Sequence, residues 1–75
     1  MSRDSNLLKV EGIVEESLPG LFFRIKARIG AEDVQILGHP AGKMKLHRIR
    51  IIPGDKVLVE IYEVNDKRGR IVRRL

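Results

Sequence analysis

The apolar residues of this 75-residue chain recur at every second position, and this pattern limits the possible folds more than any other feature. Between Phe23 and Arg28, apolar side chains alternate strictly with arginine or lysine. Successive side chains of a β-strand point to opposite faces, so this spacing predicts a half-buried strand with a cationic outer face. The same period of two, rather than the 3.6 of a helix, dominates residues 8–14 and 57–61.

Turn residues between the apolar runs divide the chain into five predicted strands, near residues 8–14, 23–27, 34–37, 57–61 and 70–74. Gly12 is expected to mark a bulge or bend in the first strand. Two glycines and a proline in residues 38–42 predict that the third strand ends before Gly38. Further turns are expected at residues 18–20, 53–55 and 65–69.

Five strands in so short a chain favour a closed barrel, because an open sheet would leave unpaired edges and one bare apolar face. Residues 43–48 leave room for one short helical turn between strands 3 and 4. This is the element order of the all-β, five-stranded OB-fold barrel. We expect a single domain at residues 7–75, preceded by a flexible tail at residues 1–6.

The charge is distributed unequally along the chain. Residues 1–33 contain five Lys or Arg and six Asp or Glu, whereas residues 34–75 contain ten and four. Charge of one sign concentrated on part of a surface attracts polyphosphate, so the pattern favours nucleic-acid binding over a merely solubilising surface. Nine of the fifteen basic residues form two tracts without acids: Lys43, Lys45, Arg48 and Arg50, and then Lys67, Arg68, Arg70, Arg73 and Arg74.

The sequence gives little support to catalysis, a cofactor or a metal site. Residues 38–44 fail as a phosphate-binding loop, because three residues rather than four separate the glycines and Met44 replaces the hydroxyl residue. His39 and His47 do not match zinc-ligand spacings. There is no cysteine, signal peptide or membrane-spanning run, so we expect a cytoplasmic protein without a membrane partner.

Aromatic residues are scarce, which limits how many bases the chain could stack upon. Phe22 and Phe23 are consecutive, so only one of them can face the interior of a strand. Phe23 is expected in the core because it is in register with Ile25. Phe22 is then either a stacking platform or an ordinary exposed aromatic.

Short motifs along the chain resemble bacterial translation initiation factor one. The matching segments, which follow in the order and spacing of that family, are residues 42–44, 49–51, 54–57 and 69–72. Gly12, Leu18-Pro19 and Phe23-Arg24 also match, so the resemblance runs from about Leu8 to Arg74. Residues 28–33 depart from it, because the family joins these strands by a tight turn and the connection here is expected to be longer.

The resemblance implies an OB-fold protein without catalytic activity or cofactor, and we expect it to be a monomer. The family binds the small (30S) ribosomal subunit at the decoding A site, contacts 16S rRNA and a neighbouring ribosomal protein, and acts with the other initiation factors. From charge and resemblance together, the expected RNA-binding residues are Arg24, Lys43, Met44, Lys45, His47, Arg48, Arg50, Arg68, Arg70, Arg73 and Arg74. Lys9, in the less basic half, is expected to contribute little.

Two alternatives are compatible with the sequence. A general single-stranded RNA chaperone of cold-shock type would share the barrel, but it needs an aromatic platform for which Phe22, Phe23 and Tyr62 give little material. A protein-interaction domain would use the same charge to bind an acidic partner. Binding to unstructured RNA distinguishes the first alternative, and binding that survives RNase treatment distinguishes the second.

Overall fold

The computed structural model describes residues 8–42, 50–61 and 67–75, and five strands lie within them. All five match the predicted strands. The predicted tail at residues 1–6, the helical turn at residues 43–48 and the first two residues of the loop at residues 65–69 lie outside the described residues. The strands are β1 (Leu8–Leu18), β2 (Phe22–Ile29), β3 (Glu32–Pro40), β4 (Lys56–Ile61) and β5 (Arg68–Arg74).

The strands close into a barrel in the order β1-β2-β3-β5-β4. β1 pairs with both β2 and β4, which completes the circle and removes the unpaired edges that an open sheet would have. The pairs are antiparallel except for β3 with β5, which run parallel. The closed barrel predicted from the sequence is therefore confirmed.

Alternate residues of each strand point into the barrel and form one apolar core. Phe23 is 8% exposed and lies in this core, whereas Phe22 is 39% exposed on the outside, as their register predicted. No buried side chain in the described part of the chain is polar or charged. The core consists of Val14, Phe23, Ile25, Ala27, Ile36, Ile51, Val57, Val59, Ile61 and Ile71.

The prediction that β3 ends before Gly38 is wrong, because the strand continues to Pro40. Gly38 points inward and pairs with Gly69 of β5. A Cβ on Gly38 would lie 2.5 Å from Ile25 Cδ1, and a Cβ on Gly69 would lie 2.5 Å from Val59 Cγ1. These glycines leave the space in which the core side chains meet, so here glycine permits the strand pairing instead of interrupting it.

Two other local predictions, the position of a bulge and the length of a connection, are wrong. The bulge in β1 falls between Val14 and Glu16, not at Gly12. Gly12 is needed for close packing, because a Cβ there would lie 2.5 Å from Ile25 Cγ2. The β2–β3 connection is a tight turn rather than a longer one: Gly30, at a φ of 63°, follows directly on β2, and pairing extends to the residues beside the turn.

The turn at residues 53–55, which leads into β4, is confirmed. It is hydrogen-bonded to β1. Gly54 N donates to Val14 O at 2.8 Å, and Val14 N donates to Asp55 O at 2.9 Å. These bonds fix the chain just after Arg50 and Ile51 against the barrel. Ile51 is 7% exposed and belongs to the core.

Candidate nucleic-acid interface

Arg24 and Arg68 lie in one row on the outside of the barrel, although they are far apart in sequence. Arg24 on β2 pairs with Leu37 on β3, and Leu37 pairs with Arg68 on β5. Alternate positions of a strand share a face, and all three side chains point away from the core. Strand register therefore brings cations of both halves of the chain onto one surface.

A second row lies beside the first on the same three strands. His39 on β3 pairs with Arg70 on β5, and the ring centroids of His39 and Phe22 are 6.3 Å apart with an interplanar angle of 72°. His39, Arg70 and Phe22 are all exposed. We call the two rows together the β2–β3–β5 face; its members are Phe22, Arg24, Leu37, His39, Arg68 and Arg70.

The two basic tracts of the sequence meet at Arg50 and Arg74. Arg74 Nη1 donates a hydrogen bond to the backbone oxygen of Arg50 at 3.0 Å. On the other side of residues 43–49, Ala41 N donates to Ile71 O at 2.8 Å. The described residues on both sides of that segment are therefore held against β5.

Several cations elsewhere on the barrel are balanced by carboxylates. Lys26 and Arg28 of β2 each have a nitrogen 3.9 Å from Asp33, and Lys56 Nζ lies 3.5 Å from Glu11 Oε1. All of these side chains are about half exposed or more. Such pairs add little stability, but they reduce the positive field around this part of the surface.

Two arginines of the β2–β3–β5 face also have a carboxylate neighbour. Arg24 forms an ion pair with Glu16 of β1. Arg70 Nη2 donates to Glu60 Oε1 at 2.7 Å, and the Glu60 side chain is only 13% exposed. Both carboxylates lie on the strands flanking the face, so they orient the guanidinium groups from its margins.

Five described arginines and lysines of the second half carry positive charge that no described carboxylate balances. Within residues 8–42, 50–61 and 67–75, no ion pair to a carboxylate is formed by Arg50, Lys67, Arg68, Arg73 or Arg74. The asymmetry of charge along the sequence thus becomes an asymmetry across the barrel. An unbalanced cationic surface is suited to binding phosphates.

A shallow groove continues this cationic surface onto β1 and β4. The apolar residues Leu58 and Val72 and the basic residues Lys9 and Arg73 are among those that line it. Lys9 also pairs in register with Glu60, the partner of Arg70. Barrel closure places β1 beside β4, so Lys9 lies near the second basic tract, and its small expected contribution to binding stays a prediction.

The structure describes six of the eleven residues expected to bind RNA, and all six are exposed: Arg24, Arg50, Arg68, Arg70, Arg73 and Arg74. The other five, Lys43, Met44, Lys45, His47 and Arg48, lie outside the described residues. Sequence analysis missed Leu37 and His39 as members of the face. The alternation of residues 34–40 would have placed both on the outer face of β3. The prediction that the strand ends before Gly38 excluded this.

The part of the chain that the structure describes offers no set of three or more His, Asp or Glu arranged to hold a metal ion. Nor does any helix in that part have the length and apolar character needed to cross a membrane.

Comparisons with known proteins agree with the motifs and the barrel. The sequence matches the family model described as translation initiation factor 1A / IF-1 over residues 2–75. The structure is similar to the solution structure of translation initiation factor one from the Wolbachia endosymbiont strain TRS of Brugia malayi. That match has 46% identity and a TM-score of 0.70, and covers 93% of this chain and 79% of the other.

A second similar structure is the crystal structure of YjeQ from Thermotoga maritima, with 25% identity and a TM-score of 0.69. The match covers 91% of this chain but only 23% of YjeQ. The barrel therefore corresponds to one part of a longer protein there.

Proposed function

Because this chain belongs to the translation initiation factor 1A / IF-1 family, we propose that it binds the small (30S) ribosomal subunit at the decoding A site. Family membership confirms the resemblance found in the motifs, and the closed five-stranded barrel confirms the OB-fold. The observation that carries the proposal is the contact between Arg74 and Arg50, which brings the described residue of the first basic tract against the second tract.

Binding would depend on charge and on shape. Arginine and lysine that neutralise rRNA phosphates release counterions, which gives affinity that falls with salt. Arg50, Arg68, Arg73 and Arg74 have no carboxylate partner among the described residues, so a phosphate would not have to displace one. Planar guanidinium groups can also bind phosphate through two hydrogen bonds at once.

The barrel determines where the cationic side chains lie. Its strands are paired around the whole circle, so the outward-facing cations are fixed relative to one another by backbone register. A rigid body of this kind would occupy the A site without any chemical step, together with the other initiation factors. In this proposal the protein is a cytoplasmic monomer without a cofactor, and it touches 16S rRNA and a neighbouring ribosomal protein.

Co-sedimentation with purified 30S subunits tests the proposal. We expect saturable binding that is lost when a ligand already occupies the decoding A site, and that is retained when a ligand occupies a different site on the subunit. Equal binding to free and A-site-blocked subunits would contradict it. Binding to unstructured RNA as tight as to subunits would instead favour a cold-shock-type RNA chaperone, the function that the exposed Phe22–His39 pair could also serve.

A further inference from the structure

Arg70 is hydrogen-bonded to a carboxylate that is largely withdrawn from solvent. Arg70 Nη2 donates to Glu60 Oε1 at 2.7 Å. The Glu60 side chain is 13% exposed, whereas that of Arg70 is 52% exposed. A charge-assisted hydrogen bond of this length is among the stronger ones, and water screens it little where one partner is mostly buried. The bond therefore restrains the guanidinium group and leaves about half of the Arg70 side chain accessible to a ligand.

Strand register places Glu60 between two cations. Glu60 on β4 pairs with Lys9 on β1 and with Arg70 on β5, and all three side chains lie on the outer surface of the barrel. This row contains two positive charges and one negative charge, so it stays positive although Arg70 has a carboxylate partner. Among the described residues that line the groove on this side of the barrel, Glu60 is the only one with a carboxylate.

The carboxylate beside Arg24 differs from Glu60 in its exposure. Glu16, the partner of Arg24, is 50% exposed, and Arg24 is 45% exposed. An ion pair between two half-exposed side chains is screened by solvent and restrains neither of them strongly. Of these two arginines, Arg70 is therefore the one whose orientation is set by its acidic neighbour.

From this geometry we infer that Glu60 is a positioning residue, which orders the Arg70 guanidinium before binding so that Arg70 contacts an RNA phosphate in a fixed orientation. This inference rests on the proposed function and adds a residue of β4 that acts through Arg70 without touching RNA. A long side chain that is already ordered loses less conformational entropy when it binds. Glu60 thus strengthens a contact with an anion although Glu60 is itself negative.

Two substitutions of Glu60 separate positioning from simple repulsion of phosphate. Glu60→Gln removes the charge and keeps an oxygen that can accept from Arg70, whereas Glu60→Ala removes both the charge and the acceptor. Because both variants lose the same charge, repulsion cancels when they are compared. We expect Glu60→Ala to bind 30S subunits about fivefold more weakly than Glu60→Gln, which is about 1 kcal/mol. Glu60→Gln should bind at least as tightly as the wild type.

A double-mutant cycle shows whether Glu60 acts through Arg70. In an Arg70→Ala background, Glu60→Ala and Glu60→Gln should bind within about twofold of each other, because the donor that they affect is absent. Arg70→Ala alone should lower the slope of log K against log salt by about one. Glu60→Ala and Glu60→Gln should have equal slopes, because Arg70 still contacts phosphate in both. Urea unfolding of each variant shows whether it folds as the wild type does.

Glu11→Ala and Glu11→Gln are the matched control pair. Glu11 lies on the neighbouring strand β1, is 61% exposed and pairs with Lys56, which is also more than half exposed. The two substitutions remove the same groups as those at Glu60. They should bind 30S subunits equally, because an exposed pair of this kind orders its partner little.

Side-chain ¹⁵N NMR relaxation of the free protein tests the ordering itself. The Arg70 Nε–H group should be rigid on the picosecond-to-nanosecond timescale in the wild type and in Glu60→Gln. In Glu60→Ala its order parameter should fall to the flexible range, below about 0.6. This measurement needs neither RNA nor subunits.

The outcomes separate this inference from the proposed function. Equal binding of Glu60→Ala and Glu60→Gln, or a difference that persists in the Arg70→Ala background, would overturn the positioning role and leave subunit binding in place. An Arg70 side chain as ordered in Glu60→Ala as in the wild type would also overturn it. If the wild type failed to bind 30S subunits, the proposed function would fail, and the NMR comparison alone would decide whether Glu60 orders Arg70.

Discussion

Arg74 donates a hydrogen bond from Nη1 to the backbone oxygen of Arg50 at 3.0 Å, although the two residues are 24 positions apart. Each belongs to a different basic tract of the sequence, and neither has a carboxylate partner within the described residues. A carbonyl oxygen orients the Arg74 guanidinium without cancelling its charge. The contact thus holds the two arginines together in the candidate interface without reducing its positive charge.

Arg74→Ala should therefore lower both stability and phosphate binding. Loss of the bond to Arg50 should cost about 1 kcal/mol in the free energy of unfolding, and loss of the charge should lower the salt slope by about one. Arg73→Ala is the matched control, because Arg73 lies beside it without this bond. It should lower the slope equally and leave urea unfolding unchanged. Equal stability of the two variants would contradict the role given to the bond.

The inward-facing glycines should not tolerate a methyl group. Gly38→Ala and Gly69→Ala each place a Cβ 2.5 Å from a core side chain, so each should lower the free energy of unfolding by about 1–3 kcal/mol. Gly42→Ala is the control, because a Cβ there meets nothing within 4 Å. Chemical denaturation of the three variants checks this. If both strand variants were as stable as the wild type, the core around Gly38 and Gly69 would have room for a methyl group, which contradicts the close packing.

Leu21 adopts a conformation that disfavours any side chain. Its φ is 62° and it is 60% exposed, so packing contributes little to holding it there. Leu21→Gly should be more stable than Leu21→Ala by about 1 kcal/mol, because only alanine keeps the Cβ that clashes in this region. Urea unfolding compares the two. An alanine variant as stable as the glycine variant would argue against a left-handed residue 21.

Glu16 should limit the affinity of the interface for RNA. Its carboxylate pairs with Arg24 at the margin of the β2–β3–β5 face. Glu16→Gln removes the charge and keeps an acceptor, so binding to 30S subunits should tighten roughly threefold at low salt and depend more steeply on salt. Glu11→Gln is the control. It removes the carboxylate on β1 that pairs with Lys56 on β4, and it should change neither the affinity nor its salt dependence. Unaltered binding by both variants would contradict this role for Glu16.

Much of the barrel was predictable because the information is local. The alternation between Phe23 and Arg28 identifies β2 and its two faces without any knowledge of its neighbours. The end of β3 was not predictable in this way. Whether Gly38 interrupts a strand or permits close packing depends on Ile25 and Ile71, which are brought to it by barrel closure.

The site was predictable in its charge but not in its arrangement. Arg68 and Arg70 were identified because they lie in an acid-free tract. The pairing of Phe22 with His39, and the neighbourhood of Lys9 and Arg70, follow from strand register and barrel closure. Neither of these two spatial relationships can be predicted from composition or from spacing along the sequence.

The salt dependence of binding to 30S subunits tests the central claim most directly, with Arg68→Ala compared against Arg28→Ala. Both residues are exposed arginines on outer strand positions, but Arg28 lies near Asp33 and Arg68 has no such partner in the described part of the chain. Arg68→Ala should lower the slope of log K against log salt by about one, and Arg28→Ala should leave it unchanged. Equal slopes for both variants would contradict an interface confined to the cationic side of the barrel.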